Sequence, residues 1–214
     1  MHTPTGTIIE VYADIWCPFA HVGLRAVEEQ RARAGRADVA IWVRAWPLEL
    51  VNGVPLDPVV TKEHADELRA QVAPLLFQDL DVDHFPTSTL EALALANRAY
   101  RTDMKTGERM SLALRNALFE RGGDIADLAT LEHLALDLGV LMPDESDRAD
   151  VLTDWREGVG RGVQGSPHFF CGNREVFCPS LDITRDPVEG LSITRDVSRL
   201  AEFLDRCFAG SGSS

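Results

Sequence analysis

A short β-rich run, Thr7 to Ala13, passes directly into Asp14-Ile15-Trp16-Cys17-Pro18-Phe19-Ala20, and a helical pattern begins just behind Cys17. This junction constrains the chain more than any other feature. A side chain at a helix start faces several unpaired backbone N–H groups and the positive end of the helix dipole. Both favour thiolate over thiol, and the thiolate is the reactive form, so a reactive Cys17 is expected. Three positions on, where a second cysteine would complete a redox dithiol, the chain carries Ala20.

The organisation around that junction reads as strand, helix, strand. Apolar Phe19, Val22, Leu24, Ala26 and Val27 open a helix to about Ala34, with Gly35 as its stop. Val39 to Trp46 is a second strand, ended by Pro47, and a right-handed βαβ unit makes the two strands parallel neighbours. Helices are then predicted over Thr61–Leu80, from a capping box at Ser88-Thr89-Leu90-Glu91 to Tyr100, and over Thr106–Arg121, Asp127–Leu138 and Asp144–Val159. Residues 61–159 thus read as a helical insertion domain within an α/β domain made of residues 1–60 and 160–210.

Two short strands follow, His168–Cys171 and Glu175–Cys178, with Gly172-Asn173 as the hairpin turn. A loop with Pro179 and Pro187 leads to a last helix over Thr194–Phe208, and Ala209–Ser214 is a Gly/Ser tail expected to be disordered.

Composition excludes several classes. Hydrophobic residues make up 45% of the 214, ample for a buried core, and no apolar run approaches the ~18 residues of a membrane span. The net charge of −13 argues against nucleic acid and anionic membrane surfaces as partners. Met1-His2-Thr3-Pro4-Thr5-Gly6 has neither a basic stretch nor an apolar segment, so a cytoplasmic location with largely reduced cysteines is expected. Cysteines 17, 171, 178 and 207 show no CxxC pair and no Cys/His ligand spacing, so no metal is expected.

The order of elements, with a cysteine at the first helix start, resembles the thioredoxin fold in its DsbA-like form. Asp14 to Gly23 looks like that family's active-site turn, and Gly162-Val163-Gln164-Gly165-Ser166-Pro167-His168-Phe169-Phe170 looks like its cis-proline loop. The resemblance implies an α/β thioredoxin fold (βαβ…ββα) with a large helical insertion. It also implies that Ser166 and Pro167 hold an extended thiol substrate against Cys17 like an added strand.

Ala20 departs from the CxxC of FrnE-like dithiol oxidoreductases, in which the second cysteine releases the mixed disulfide. A related branch, the kappa-class glutathione transferases and 2-hydroxychromene-2-carboxylate isomerases, carries serine at the first position and no cysteine at the second. The chain stands between the two. Cys171 lies ~13 Å along its strand from Pro167 and Cys178 roughly 10 Å from Cys17, so neither reads as a good resolving thiol.

The expected catalytic residues are Cys17 and His21. His21 lies one helical turn on, as an imidazolium stabilising the thiolate or as a neutral base. Trp16, Pro18, Phe19, Ala20, Ser166 and Pro167 are the expected substrate-binding residues, with Trp16 and Phe19 as an apolar rim. Asp14, if buried, reads as a proton relay, and an exposed loop acid is the alternative.

The leading expectation is a monothiol thiol-disulfide oxidoreductase that uses a low-molecular-weight thiol, glutathione or an equivalent, as cosubstrate, with no tightly bound cofactor. The alternatives are a thiol-dependent transferase or isomerase acting on an electrophile, and a non-catalytic thioredoxin-fold binding module. A homodimer is compatible with each.

Overall fold

The first strand, β1 (Ile8–Ala13), sorts its side chains by alternation. Ile9, Val11 and Ala13 enter one apolar cluster, while Tyr12 on the other face joins Trp46 and Phe170. The structure is a computed structural model and describes residues 7–186 and 190–209. After β1 come α1 (Pro18–Arg33), β2 (Ala40–Ala45) and the short α2 (Leu48–Asn52). β1 and β2 are parallel with Ile8 opposite Ala40, as the βαβ reading requires.

The helical block then runs through α3 (Pro58–Gln71), α4 (Leu90–Thr102), α5 (Met104–Arg121), α6 (Leu128–Leu138) and α7 (Glu145–Gly160). Strands β3 (His168–Cys171) and β4 (Arg174–Phe177) complete a four-stranded sheet in the order β2-β1-β3-β4, with β3 antiparallel to both neighbours. A separate antiparallel hairpin, β5 (Leu181–Asp186) and β6 (Gly190–Arg195), precedes the last helix, α8 (Val197–Ala209).

The helical block docks on β2, which would otherwise present a free sheet edge. Its outward N–H groups are taken by side chains: Ile41 donates to Glu108 (2.7 Å), Val43 to the Tyr100 hydroxyl (3.0 Å) and Ala45 to Asp154 (3.1 Å). The Tyr100 hydroxyl in turn donates to the Ile41 carbonyl at 3.0 Å. An unpaired strand edge invites foreign strands and wastes backbone hydrogen bonds, so these contacts both close the edge and fix the insertion to the sheet. On the outer face Arg44 reaches Asp154 and Glu10 and also bonds Glu157, binding α7 to the sheet.

Several local readings are corrected. α3 ends at Gln71, not Leu80: Pro74 follows closely, and the freed carbonyl of Val72 is taken by Arg195 on β6. The capping box at Ser88–Glu91 does not form. Glu49 of α2 accepts from the Ser88 hydroxyl and the Thr89 N–H, both at 2.9 Å, while Glu91 pairs with Arg148. A capping box is instead built at Asp144 with Asp147.

The stretch expected as a loop before the last helix is largely the β5–β6 hairpin, and α8 begins at Val197, not Thr194. Its strands bury only Leu181 and Ile193, with Leu191 packed beside them, so the pattern lacks a clear apolar face. Pro187 and the tail beyond Ala209 lie outside the described residues.

Candidate active site

The site forms where β1 gives way to α1. Cys17 is the N-cap residue of α1 in extended geometry, and Pro18 occupies the first turn, where its missing N–H costs nothing. The sulfur does not point to solvent. Cys17 is 4% exposed, and its Sγ–H donates to the carbonyl oxygen of Ser166 at 3.2 Å. The Ser166–Pro167 peptide bond is cis. The two stretches singled out in the sequence therefore meet at the Cys17 sulfur's own hydrogen bond.

Three contacts hold the Ser166 segment in place. The Ser166 hydroxyl accepts from the Asp14 N–H at 3.0 Å, the Pro167 carbonyl accepts from the Cys178 N–H at 3.0 Å, and His168 Nδ1 accepts from the Gln164 N–H at 3.2 Å. Helix α1 presses against the same segment at Gly23, where a Cβ would lie 3.2 Å from Cγ of Pro167. A side chain here would push helix and loop apart.

The thiolate expectation is overturned for this arrangement. Burial pushes the Cys17 thiol above its ordinary value, and the nearby Asp14 carboxylate adds to the rise. The Ser166 side chain and the backbone N–H groups of Ala20 and Phe19 pull the other way and lose. The helix start acts as expected, but desolvation outweighs it. At neutral pH the sulfur is held as a thiol.

Asp14 is fully buried, in agreement with the relay reading of its environment and not with an exposed loop acid. Its carboxylate accepts from the N–H groups of Ile15 (2.7 Å) and Leu48 (2.5 Å), and burial still raises its pKa to about 6. Behind it lies a residue the sequence reading did not single out. Arg115 of α5 is fully buried and donates to the Asp14 carbonyl (3.0 Å) and to Ser111 (2.7 Å to the hydroxyl). Burial lowers its pKa to about 10, while the charges of Asp14, Tyr100 and Cys17 favour the guanidinium. The available signal was a lone arginine on the apolar stripe of Met110, Leu114 and Leu118.

His21 is also fully buried. Its Nε2 lies 2.7 Å from Glu120 Oε1, and its ring stacks on Phe119. Burial lowers its pKa despite the opposing pull of Glu120, so the ring is neutral and the imidazolium alternative falls away. With Nε2–H donating to Glu120, Nδ1 is left as a buried acceptor without a partner.

The expected substrate rim is corrected in part. Trp16 is 0% exposed and stacked on Phe85 inside the helical block, so it is core and not rim. Pro18, Ala20 and Pro167 are buried, whereas Phe19 and Ser166 are half-buried. Phe19 packs beside His64 of α3. Exposed Phe177 lies against Gly165 and is the apolar surface next to the Ser166 segment. Cys178 is buried, with its thiol pushed up to about 12 chiefly by desolvation, which leaves little thiolate for attack.

The sequence matches the DSBA-like thioredoxin domain family over residues 8–185. The chain belongs to that family. Among solved structures, a candidate protein disulfide isomerase from Nitrosomonas europaea superposes with a TM-score of 0.69 at 18% identity, covering 97% of this chain and 100% of that one. A 2-hydroxychromene-2-carboxylate isomerase gives 0.59 at 16% identity over 79% of this chain and 88% of its own. The cytosolic disulfide reductase DsbM from Pseudomonas aeruginosa gives 0.58 at 15% identity over 95% of each chain. At these identities the likeness establishes the fold: a DsbA-like thioredoxin fold with its helical insertion. No curated protein sequence matches the chain.

Family members act as thiol oxidoreductases or isomerases. Among the described residues, no cluster of three or more His, Cys, Asp or Glu is placed to hold a metal ion, and no helix is long and apolar enough to cross a membrane.

Proposed function

We propose that the protein is a monothiol member of its family, exchanging disulfides through Cys17 alone. The observation that carries this reading is the helix-start sulfur set 3.2 Å from the Ser166 carbonyl, with Ala20 in the place of a second thiol. A disulfide R–S–S–R′ entering beside Ser166 displaces that contact, and Cys17 gives up its proton. The thiolate attacks one sulfur, the S–S bond breaks, and R′S⁻ leaves with a proton. A low-molecular-weight thiol such as glutathione then attacks the Cys17–S–S–R bond, forms a new small disulfide and returns Cys17 to the thiol.

His21, Glu120 and Ser166 are the supporting groups: Glu120 fixes the ring tautomer, and Ser166 lines up the sulfur. Phe19, Pro18, Ala20 and Pro167 shape the approach. This chemistry suits a cytoplasm that supplies small thiols, in keeping with the cytosolic reductase among the structural neighbours.

The test is intact-mass analysis after exposure to oxidised glutathione near pH ~8.5, the ordinary thiol pKa. A single glutathione on Cys17, removed by added glutathione, is the expected result. A chain that never forms the Cys17 adduct overturns the reading.

A second reading, a thiol-dependent transferase or isomerase, is favoured by one observation: burial holds Cys17 as a thiol that donates a hydrogen bond, as a serine hydroxyl would. Cys17→Ser separates the two. Exchange activity disappears under the first reading, whereas a transferase or isomerase retains a substantial fraction of its activity because the hydroxyl still donates.

A further inference from the structure

Far from Cys17 along β3, helix α8 crosses the sheet face that carries Phe169 and Cys171. Phe203 meets Phe169 with ring centroids 6.3 Å apart. Two strand residues advance ~6.6 Å and four helical residues ~6.0 Å, so the step from Phe169 to Cys171 matches that from Phe203 to Cys207. The match brings the two cysteines together. Both side chains lie in one buried cluster, and each thiol is the group that most affects the other's proton. Beside them, Arg174 donates to the Arg206 carbonyl at 3.4 Å, tying the β3–β4 turn to the same end of α8. The two residues are 7% and 2% exposed, and Cys171 ends its strand directly before the exposed turn Gly172-Asn173.

We propose that Cys171 and Cys207 form a second redox site, a dithiol that a low-molecular-weight disulfide oxidises to an internal disulfide joining β3 to α8. The geometry favours Cys171 as the attacking group. The neighbouring Cys207 thiol and the Arg174 guanidinium both favour its anion.

Cys171 thiolate attacks one sulfur of R–S–S–R, the S–S bond breaks, and RS⁻ leaves. Cys207 then gives up its proton and attacks the Cys171 sulfur, expelling the second RS⁻. The two thiols lose two electrons and two protons in all, and the small disulfide becomes two RSH. Closing the bond shortens a contact that already exists. The loop it closes holds β4 and the β5–β6 hairpin, so the disulfide removes freedom from the unfolded chain and clamps the C-terminal helix. The site stands apart from Cys17 and does not rest on the monothiol reading.

The test uses the full chain and its Cys17→Ala variant, each treated with oxidised glutathione, blocked with iodoacetamide and mapped by mass spectrometry without reduction. The expected product in both is a cross-linked peptide containing Cys171 and Cys207, lighter by two hydrogens, together with a thermal midpoint several degrees higher that added reductant reverses. In Cys207→Ser, glutathione remains on Cys171 as the stalled first step. Cysteines 171 and 207 both left alkylated, each carrying its own glutathione, or cross-linked to Cys17 or Cys178 would each overturn the proposal. The wild-type map decides the matter even where a variant folds poorly.

Discussion

Cys17 and Cys171 belong to one apolar cluster and are almost equally buried, at 4% and 7% exposed, yet their thiols are pushed in opposite directions. Cys17 is raised, because the burial cost, joined by a nearby carboxylate, outweighs the groups that favour its anion. Cys171 is lowered, because the neighbouring Cys207 thiol and a nearby guanidinium favour its anion by more than burial opposes it. Burial alone does not set the state of a thiol. Desolvation is the largest influence on Cys17, whereas at Cys171 it is outweighed by the groups facing the sulfur. The helix terminus, the feature that makes Cys17 conspicuous in the sequence, is one contributor among several and not the largest.

The sharpest way to break this comparison is to remove each sulfur. Cys17→Ala should lower exchange with small disulfides by more than about 100-fold, the usual consequence of losing a nucleophile. Cys207→Ser should leave that exchange within about twofold, because the second pair lies at the other end of β3. Steady-state rates with a fluorogenic small disulfide measure both, and an inverted order would assign the exchange to the wrong cysteine.

Arg115→Met comes next in size. It removes the buried cation behind Cys17 and leaves the Asp14 carbonyl without its donor. Breaking one side of a buried charged contact costs about 3–5 kcal/mol. For a chain of this length that is a fall in Tm of roughly 10 °C, measurable by calorimetry. Alkylation of Cys171 should be unaffected below the transition, since Arg115 belongs to the other site.

Arg115 also shows where the sequence stops being readable. The strand, the helix start and Ser166-Pro167 are legible because each is a contiguous run with its own backbone preference. The partners of Asp14 are not, because Arg115 is 101 positions away and its role depends on how α5 docks. Trp16 looks like a rim residue beside a reactive cysteine, but the helical block covers it, and that covering is a tertiary fact. The β5–β6 hairpin escapes for the opposite reason. Nearly all its side chains face solvent, so neither strand carries the alternation that marks a half-buried sheet.

Asp14→Asn tests the other half of the electrostatic comparison. The folded pKa of Asp14, about 6, lies above its unfolded value near 3.8 because burial favours the neutral acid. The folded state therefore holds a proton that the unfolded chain has released between those values, and stability is lost as pH rises from about 4 to about 6. The loss attributable to this group is about 3 kcal/mol. Asp14→Asn should flatten that part of the stability profile in urea titrations at stepped pH. It should also move the pH midpoint of Cys17 alkylation downward, since the carboxylate is one of the groups holding it up. An unchanged alkylation midpoint would mean that burial alone raises Cys17.

The smallest expected effect isolates packing from charge. Gly23 lies inside α1, where alanine is favoured over glycine by about 1 kcal/mol. Its added methyl would lie 3.2 Å from Cγ of Pro167, close enough that helix or loop must give by a few tenths of an ångström. The helical gain and the crowding oppose each other, so Gly23→Ala should change Tm by no more than a few degrees in either direction. The displacement, however, falls on the segment whose Ser166 carbonyl receives the Cys17 hydrogen. A loosened contact frees the sulfur from its acceptor and misplaces the surface that aligns a disulfide. Exchange through Cys17 should therefore slow by a few-fold while oxidation of Cys171 and Cys207 proceeds at the wild-type rate. Parallel kinetics of the two reactions on one variant would show that the sites are separable in packing as they are in charge. A matching slowdown of both would place the strain in β3 itself, which begins directly after Pro167, ends at Cys171 and links the two sites.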